Sequence, residues 1–386
     1  MMKFKKLIIA VISVCAVGIL PLAAYDKKTV TFNDANGTPV TLEIPADVYD
    51  LVQENHAKIQ VALIENKVSA DDLRKAQTAI LEGYDSFVKD SNIENPYTTV
   101  KDGIEDIGDL LANVMPNSQL TQNVWAHSII HYNRPEKHKI AGGGLNVGAT
   151  GFSLEPLLDI TDALGIDDIP ISYLALPTLA VDARVCGFSL PFDVGIAFST
   201  FNTSMISQLK EAIDPSSFNY MSIGGDFRWA VLNNREKHVT VSVGGGAYYT
   251  QMGAKIAPDE ATIEASLKTF TAFVGTQASV KFHALVPFAG FRLFGSTTKL
   301  NLDVKDINWD QILDGSDGDG IMNAAKWGIL PTSLSESYSS SFFSHIRPQI
   351  YGGLGLDLAL LSLTTSLSFD PIGSCLSGAF SIRLVF

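Results

Sequence analysis

From about Lys139 to the end of the chain, apolar and polar residues alternate with period two, as in strands whose side chains point to opposite faces. The pattern predicts ten strands: Lys139–Gly151, Ile171–Cys186, Ser189–Thr200, Phe218–Leu232, His238–Gln251, Phe270–Val286, Phe288–Val304, Phe342–Leu358, Leu361–Asp370 and Ser377–Phe386. Their connections alternate in length. Gly187-Phe188, Asn233–Lys237, Pro287 and Ala359-Leu360 read as tight turns; Phe152–Pro170, Phe201–Ser217, Met252–Thr269, Lys305–Ser341 and the shorter Pro371–Leu376 read as loops. All the tight turns therefore fall at one end of the strand set and all the loops at the other.

Before Lys139 the period is different. Thr29 to Ile44 reads as a hairpin around the turn dipeptide Asn36-Gly37. A helical stretch after Pro45 carries Val48, Leu51, Val52, Ile59, Ala62 and Leu63, and a second, opened by the capping-box-like Ser69-Ala-Asp-Asp, carries Leu73, Ala76, Ile80 and Phe87. A third amphipathic stretch, Val100 to Met115, is expected to stop before Pro116. Residues 25–135 thus read as a small α-rich module, and an acidic one, with 17 Asp and Glu against 9 Lys and Arg. Residues 138–386 form the strand domain. A second reading pairs Asn123–Tyr132 with Lys139–Gly151 and raises the strand count to twelve.

At the N-terminus Lys3, Lys5 and Lys6 precede an apolar run from Leu7 to Ala24, closed by the small Ala23 and Ala24, so residues 1–24 read as an export signal. A retained single-span anchor is the other reading of that run, and Cys15 after Val14 is a poor lipidation site. Although 46% of the residues are hydrophobic, no stretch after Ala24 is apolar enough for a membrane helix, and a membrane protein without such helices must be a closed barrel. A net charge of −13 without a basic tract excludes nucleic acid as an expected partner. Of the three cysteines, Cys186 and Cys375 lie beyond the signal, and the strand order places them at opposite barrel ends as free thiols.

The fold class expected is a transmembrane antiparallel β-barrel of about ten strands, or twelve in the second reading, preceded by the α-rich module, which is either periplasmic or a plug in the lumen. The last strand puts Phe380, Ile382, Leu384 and the terminal Phe386 on one apolar face. This resembles the C-terminal signal by which outer-membrane barrels of double-membraned bacteria are recognised, and short turns opposite long loops belong to the same architecture. The runs Asp109–Ser118, Asn123–Ala126 and Leu190-Pro-Phe-Asp-Val-Gly195 resemble spirochaete, especially treponemal, outer-membrane barrel proteins, a set that lends no functional residues. The resemblance implies an outer-membrane location, with membrane lipid and the barrel-assembly machinery as partners. Oligomeric state is not legible.

In a barrel the inward face is the functional surface. Leu179, Val181, Ala183 and Val185 form the apolar face of their strand, which turns Asp182 and Arg184 inward. The same parity aims Asp226, Arg228, Lys281, His283, Lys299, Asp303, His345, Arg347, Gln349, Asp357 and Arg383 at the lumen, while Arg292 breaks parity and suggests a bulge near Phe294-Gly295. The function expected is a pore or ligand-selective channel for small solutes, which a wet, charged lumen makes; the alternative is a non-conducting structural or adhesive surface barrel, which a packed, ion-paired lumen makes. Inward glycines, Gly142 and Gly355 among them, leave space or admit another backbone, including a segment of the N-terminal module.

Other chemistry finds little support. The loop Asp314–Gly320 places Gly315 and Lys326 where calcium ligands belong, and His127, His131 and His138 have no completing carboxylate or cysteine, so no metal is expected. His127-Ser128 and Ser344-His345 point to opposite faces of their strands and no Gly-x-Ser-x-Gly elbow occurs, so no catalytic residue, enzymatic activity or cofactor is expected.

Overall fold

The computed structural model describes residues 27–91, 96–126, 141–153, 173–186, 190–202, 216–234, 238–256, 262–306, 327 and 333–386. The export segment, His127, His131, His138 and the Asp314–Gly320 loop lie outside them. Strands β1 (Lys27–Asn33) and β2 (Pro39–Pro45) form the expected hairpin. Its turn is held by the Asp34 carboxylate, which accepts the N–H groups of Asn36 and Thr38 at 2.8 Å, and Gly37 takes the left-handed φ of +82°. Helices α1 (Ala46–Glu65) and α2 (Ala70–Ser91) pack on it. Phe32, Leu42 and Ile44 from the hairpin are buried together with Ile59, Leu63 and Leu73 from the helices, so this unit has its own core. Ser69 caps α2 reciprocally: its Oγ accepts the Asp72 N–H at 3.2 Å and its N–H donates to the Asp72 carboxylate at 3.1 Å.

Helix α3 (Pro96–Leu120) runs through Pro116, five residues beyond the expected stop at Met115. The physical reason is tertiary. A proline at 116 cannot donate to the Ala112 carbonyl one turn back, and the Arg347 guanidinium donates to that carbonyl instead, at 3.0 Å. Asn117 Nδ2 donates to the Asn113 carbonyl at 2.9 Å and steadies the same turn.

The rest is a closed antiparallel barrel with ten wall positions. In chain order the strands are β3 (Ala141–Ser153), β4 (Tyr173–Cys186), β5 (Phe192–Asn202), β6 (Ser216–Asn234), β7 (Val239–Ile256), β8 (Thr262–Val280), β9 (Leu285–Lys305), β10 (Ser333–Ser339), β11 (Arg347–Leu358), β12 (Leu361–Asp370) and β13 (Cys375–Val385). Each pairs with the next, except that β10 and β11 both pair with β9, and β13 returns to β3. Strands β10 and β11 both run antiparallel to β9, on its Lys299–Lys305 and Leu285–Phe294 halves, so together they fill one wall position, interrupted by a 3₁₀ turn at Phe343–His345. The seam closes at the last residue, where the Ala141 and Phe386 backbones exchange hydrogen bonds of 2.9 Å. The twelve-strand reading fails, because Asn123–Ala126 follows α3 outside the wall sheet.

The outer face is apolar. Leu179, Val181, Ile223, Trp229, Phe380, Ile382 and Leu384 are all exposed, as lipid-facing side chains of a transmembrane barrel must be. Phe192 stacks on Trp229 with centroids 6.2 Å apart, near the end of the wall where an aromatic girdle belongs.

Two expectations about β8 and β9 are corrected. The tight turn is at 281–284, with Phe282 bridged to Leu285 and His283 at φ +57°, while Pro287 lies inside β9 opposite Leu354. The Asp357 N–H donates to the Ala284 carbonyl at 2.7 Å, which makes even-numbered β9 residues the hydrogen-bonded partners of β11. Pro287 is odd-numbered, so its missing N–H falls on the β8 side, next to the turn, where the regular β8–β9 ladder stops at Ser279 opposite Phe288. The same register explains Arg292: Phe288, Arg292, Phe294, Ser296 and Thr298 are buried on one face, while Leu285, Phe291 and Leu293 are exposed on the other. Arg292 therefore keeps parity and needs no bulge, and Lys299 turns outward. Strands β7 and β8 also continue past the predicted ends, pairing Lys255 with Glu264, so the connection between them is only residues 257–261.

Candidate functional site

The barrel interior carries the chain's charged chemistry, and its lower half, toward the tight turns, is an ion-pair cluster. Residues two apart on a strand share a face, so β4 turns Asp182 and Arg184 inward and β6 turns Asp226 and Arg228 inward. Arg184 Nη2 donates to both Asp226 oxygens at 2.6 and 2.7 Å, and its Nη1 meets Asp193. Asp193 also accepts from Arg228, at 3.0 Å from Nε and 2.9 Å from Nη2. Arg383 Nε donates to the two Asp182 oxygens, both at 2.9 Å. Three guanidinium groups thus face three carboxylates, and the side chains of Arg184, Asp193, Asp182 and Arg383 are wholly buried. At such burial each group's charge needs its partner.

A segment of the chain itself passes through this cluster. Trp125 lies under Arg383, whose guanidinium carbon is 4.4 Å from the ring centroid, and its indole N–H donates to Asn123 Oδ1 at 2.9 Å. Asn123 Nδ2 donates to Asp226. The Trp125 carbonyl accepts from Gln277 at 2.9 Å and from Arg228 at 3.3 Å. Gly142 and Gly355 permit this approach: a Cβ on Gly142 would sit 3.0 Å from the Trp125 ring, and one on Gly355 would sit 2.5 Å from the Ala126 Cβ.

The segment is tied at higher levels too. Arg292 donates to the Leu120 carbonyl at 2.8 Å while its guanidinium stacks 4.0 Å from the Tyr351 ring. Gln122 donates to the Tyr220 hydroxyl at 3.0 Å, Gln119 to Thr250 at 2.6 Å, and Asn146 to the Thr121 carbonyl at 3.2 Å. Leu120 packs on Ala197, Tyr248 and Phe294; Met115 packs on Tyr220, Leu267 and Leu300. Near the loop end Arg347 pairs with Asp370 at 3.3 Å, Asn117 donates to Asp370 at 3.0 Å, and Gln349 donates to Asn117 at 2.8 Å. A cavity of about 30 Å³ among Asn123, Asp226, Arg228, Gln277, Arg292 and Tyr351 has room for roughly one or two waters.

Of the residues read from sequence as lumen-lining, Asp182, Arg184, Asp226, Arg228 and Arg383 come together in the lower cluster, and Arg347 sits near the opposite mouth. Lys281 and Asp357 pair at 2.5 Å by the β8–β9 turn, apart from both groups. His283 is exposed in that same turn and His345 ends the 3₁₀ turn before β11, so neither belongs to a wall strand. Asp193, Asp370 and the amide run of the luminal segment were not read from the sequence. Parity with Gly195, Ala197 and Ser199 identifies Asp193. The uncharged run Asn117-Ser-Gln-Leu-Thr-Gln-Asn123 between apolar neighbours is the signal for the segment, since buried amides must find partners. Cys186 and Cys375 are free, one at the turn end of β4 and the other at the loop end of β13.

No family model and no curated protein matches the sequence. Among solved structures the chain is similar to the outer-membrane protease OmpT of Escherichia coli, at 8% identity over 64% of this chain and 95% of that one, with a TM-score of 0.35. It is also similar to the transport unit of the autotransporter AIDA-I of Escherichia coli, at 12% identity over 71% and 99% with a TM-score of 0.32. The translocator domain of the autotransporter NalP of Neisseria meningitidis gives 8% identity over 65% and 90%, with a TM-score of 0.31. At such identities the likeness concerns the barrel fold alone.

Proposed function

We propose that this chain is an outer-membrane barrel of a double-membraned bacterium that does not conduct, because its own polypeptide fills the lumen. The observation that carries this reading is the segment from Asn113 to Ala126, hydrogen-bonded to the inner wall at every level from Asp370 to Gln277. The lower cluster supports it. A water-filled pore keeps its lining charges solvated, whereas these are paired and buried. The apolar outer band, the aromatic last strand and the spirochaete-like runs belong to the same reading, with membrane lipid and the assembly machinery as partners and a structural or adhesive role at the surface. Planar-bilayer recording tests it: refolded full-length protein is expected to give no unitary current above the bare bilayer. A stable unitary conductance would restore the solute-channel reading.

The outer-membrane address has its own test. Phe386 is exposed at the end of the lipid-facing row and hydrogen-bonded to the first barrel strand. Phe386→Asp is expected to reduce the fraction recovered as heat-modifiable, protease-resistant barrel while export continues. Recovery at the unmodified level would mean that Phe386 is not an assembly signal.

A further inference from the structure

We infer that the hairpin and helices α1 and α2 stand outside the cell, with the chain descending through the barrel from the exterior to the periplasmic end. The inference rests on the reading of the barrel as an outer-membrane protein whose lumen this segment fills.

The direction of the segment follows from its contacts. Gly108 lies against the Tyr338 ring and Asp109 accepts from the Tyr338 hydroxyl; Tyr338 is on β10, opposite Leu300, on the side of β9 that leads into the connection 306–332. Val114 packs on Phe152 and Cys375, at the loop-end limits of β3 and β13. Leu120 reaches Ala197 and Phe294 in mid-wall. Trp125 then packs on Val385 with Cys186, and Ala126 on Val286, all at the tight-turn end, where β3 begins at Ala141. The chain thus enters at the loop mouth and reaches the turn end before the first wall strand starts.

Everything before Asp109 must leave through the loop mouth, because α3 is one helix from Pro96. At about 1.5 Å per residue, Pro96 lies roughly 20 Å beyond Asp109 along the axis. Strand β9 continues only from Leu300 to Lys305 beyond the Tyr338 level, which at about 3.3 Å per residue and a tilt near 40° adds about 13 Å. The helix therefore clears the wall before the self-contained unit of β1, β2, α1 and α2 begins. Long loops mark the exterior and short turns the periplasm. This geometry gives the barrel a task that a filled lumen otherwise lacks: holding a folded acidic unit at the cell surface.

The test is thiol accessibility in a double-membraned host, using a large membrane-impermeant maleimide on full-length protein carrying Cys186→Ser, with the buried Cys375 retained. Asn36→Cys at the hairpin tip and Gln53→Cys on α1 report the unit. Ile372→Cys reports the loop mouth and Leu360→Cys the turn end, both in exposed positions. On intact cells, Asn36→Cys and Gln53→Cys are expected to label as fast as Ile372→Cys, with Leu360→Cys at least about tenfold slower until the outer membrane is opened. Two reporters guard against one variant that fails to fold, and heat-modifiability checks each. Protection of both reporters in intact cells overturns the inference, whether Ile372→Cys labels or is protected with them. The filled-lumen reading fails separately, on conductance, which labelling does not measure.

Discussion

Arg184→Ala is expected to be the most destabilising single substitution in the barrel wall, lowering stability by about 3–5 kcal/mol, the usual consequence of removing one partner from a buried ion pair. Arg184 has no exposed side-chain surface and serves two acids at once, Asp193 and Asp226. Without it Asp193 keeps Arg228 and Asp226 keeps an amide donor from Asn123. Two carboxylates then face an interior with less positive charge than they need. A lower urea midpoint of the refolded protein, read by heat-modifiability, checks the result. Adding Asp226→Asn should recover part of the loss, since it removes one uncompensated charge. The comparison is Glu264, whose pairs with Lys255 and Lys305 are substantially exposed. Glu264→Gln should move the midpoint by no more than about 1 kcal/mol, because exposed pairs contribute little. Equal midpoints for Arg184→Ala and Glu264→Gln would mean that water reaches the cluster.

Replacing Asn117–Ala126 with a flexible run of glycine and serine is expected to convert a silent barrel into a conducting one. The segment supplies the amides of Asn117, Gln119, Gln122 and Asn123 and the rings and backbone around Trp125, all packed against wall side chains. Its removal leaves a space up to about 10 Å wide, the diameter of a helix with its side chains. It also strips Arg228, Gln277 and Arg292 of carbonyl acceptors, so melting should fall as current appears. Planar-bilayer current and thermal unfolding of the same preparation check both halves. If the variant folds and stays silent, either the part of α3 that remains around Met115, packed on Tyr220, Leu267 and Leu300, or the wall side chains themselves close the ten-strand interior.

The barrel was legible because its information is local. Period-two alternation fixes which face of a strand meets lipid, and it brought Asp182 and Arg184 to the interior without any knowledge of their partners. It misled where an apolar residue faces the lumen. With Leu300 read as lipid-facing, Lys299 turns inward and Arg292 looks irregular, but Leu300 packs inside against Met115 of α3. Pro287 is tolerated because its nitrogen falls on the β8 side just where that ladder ends, while β11, a strand more than fifty residues away, pairs through the even-numbered residues. Pro116 was misread for a related reason: whether a proline ends α3 depends on Arg347 reaching the Ala112 carbonyl. The luminal course of Asn117–Ala126 is less legible still. Its amides carry no period, and what holds them lies on strands distributed around the wall.

The seam between β13 and β3, with Val385 opposite Gly142, joins the two ends of the wall and is the most distant pairing in the ladder order. Such a contact forms late, since loop closure across nearly the whole domain must precede it. The luminal segment brings Trp125 beside that seam, on the N-terminal side of its first strand. A ring that shut first would force the segment to thread a finished hole, past Arg184 and Arg383 already paired. A sheet that curls around the segment while still open, with the amides as a mandrel, meets no such obstacle. Covalent order thus favours the occupant of the lumen: the segment that ends beside the seam is already in place when Phe386 meets Ala141, and a second chain would have to enter before then.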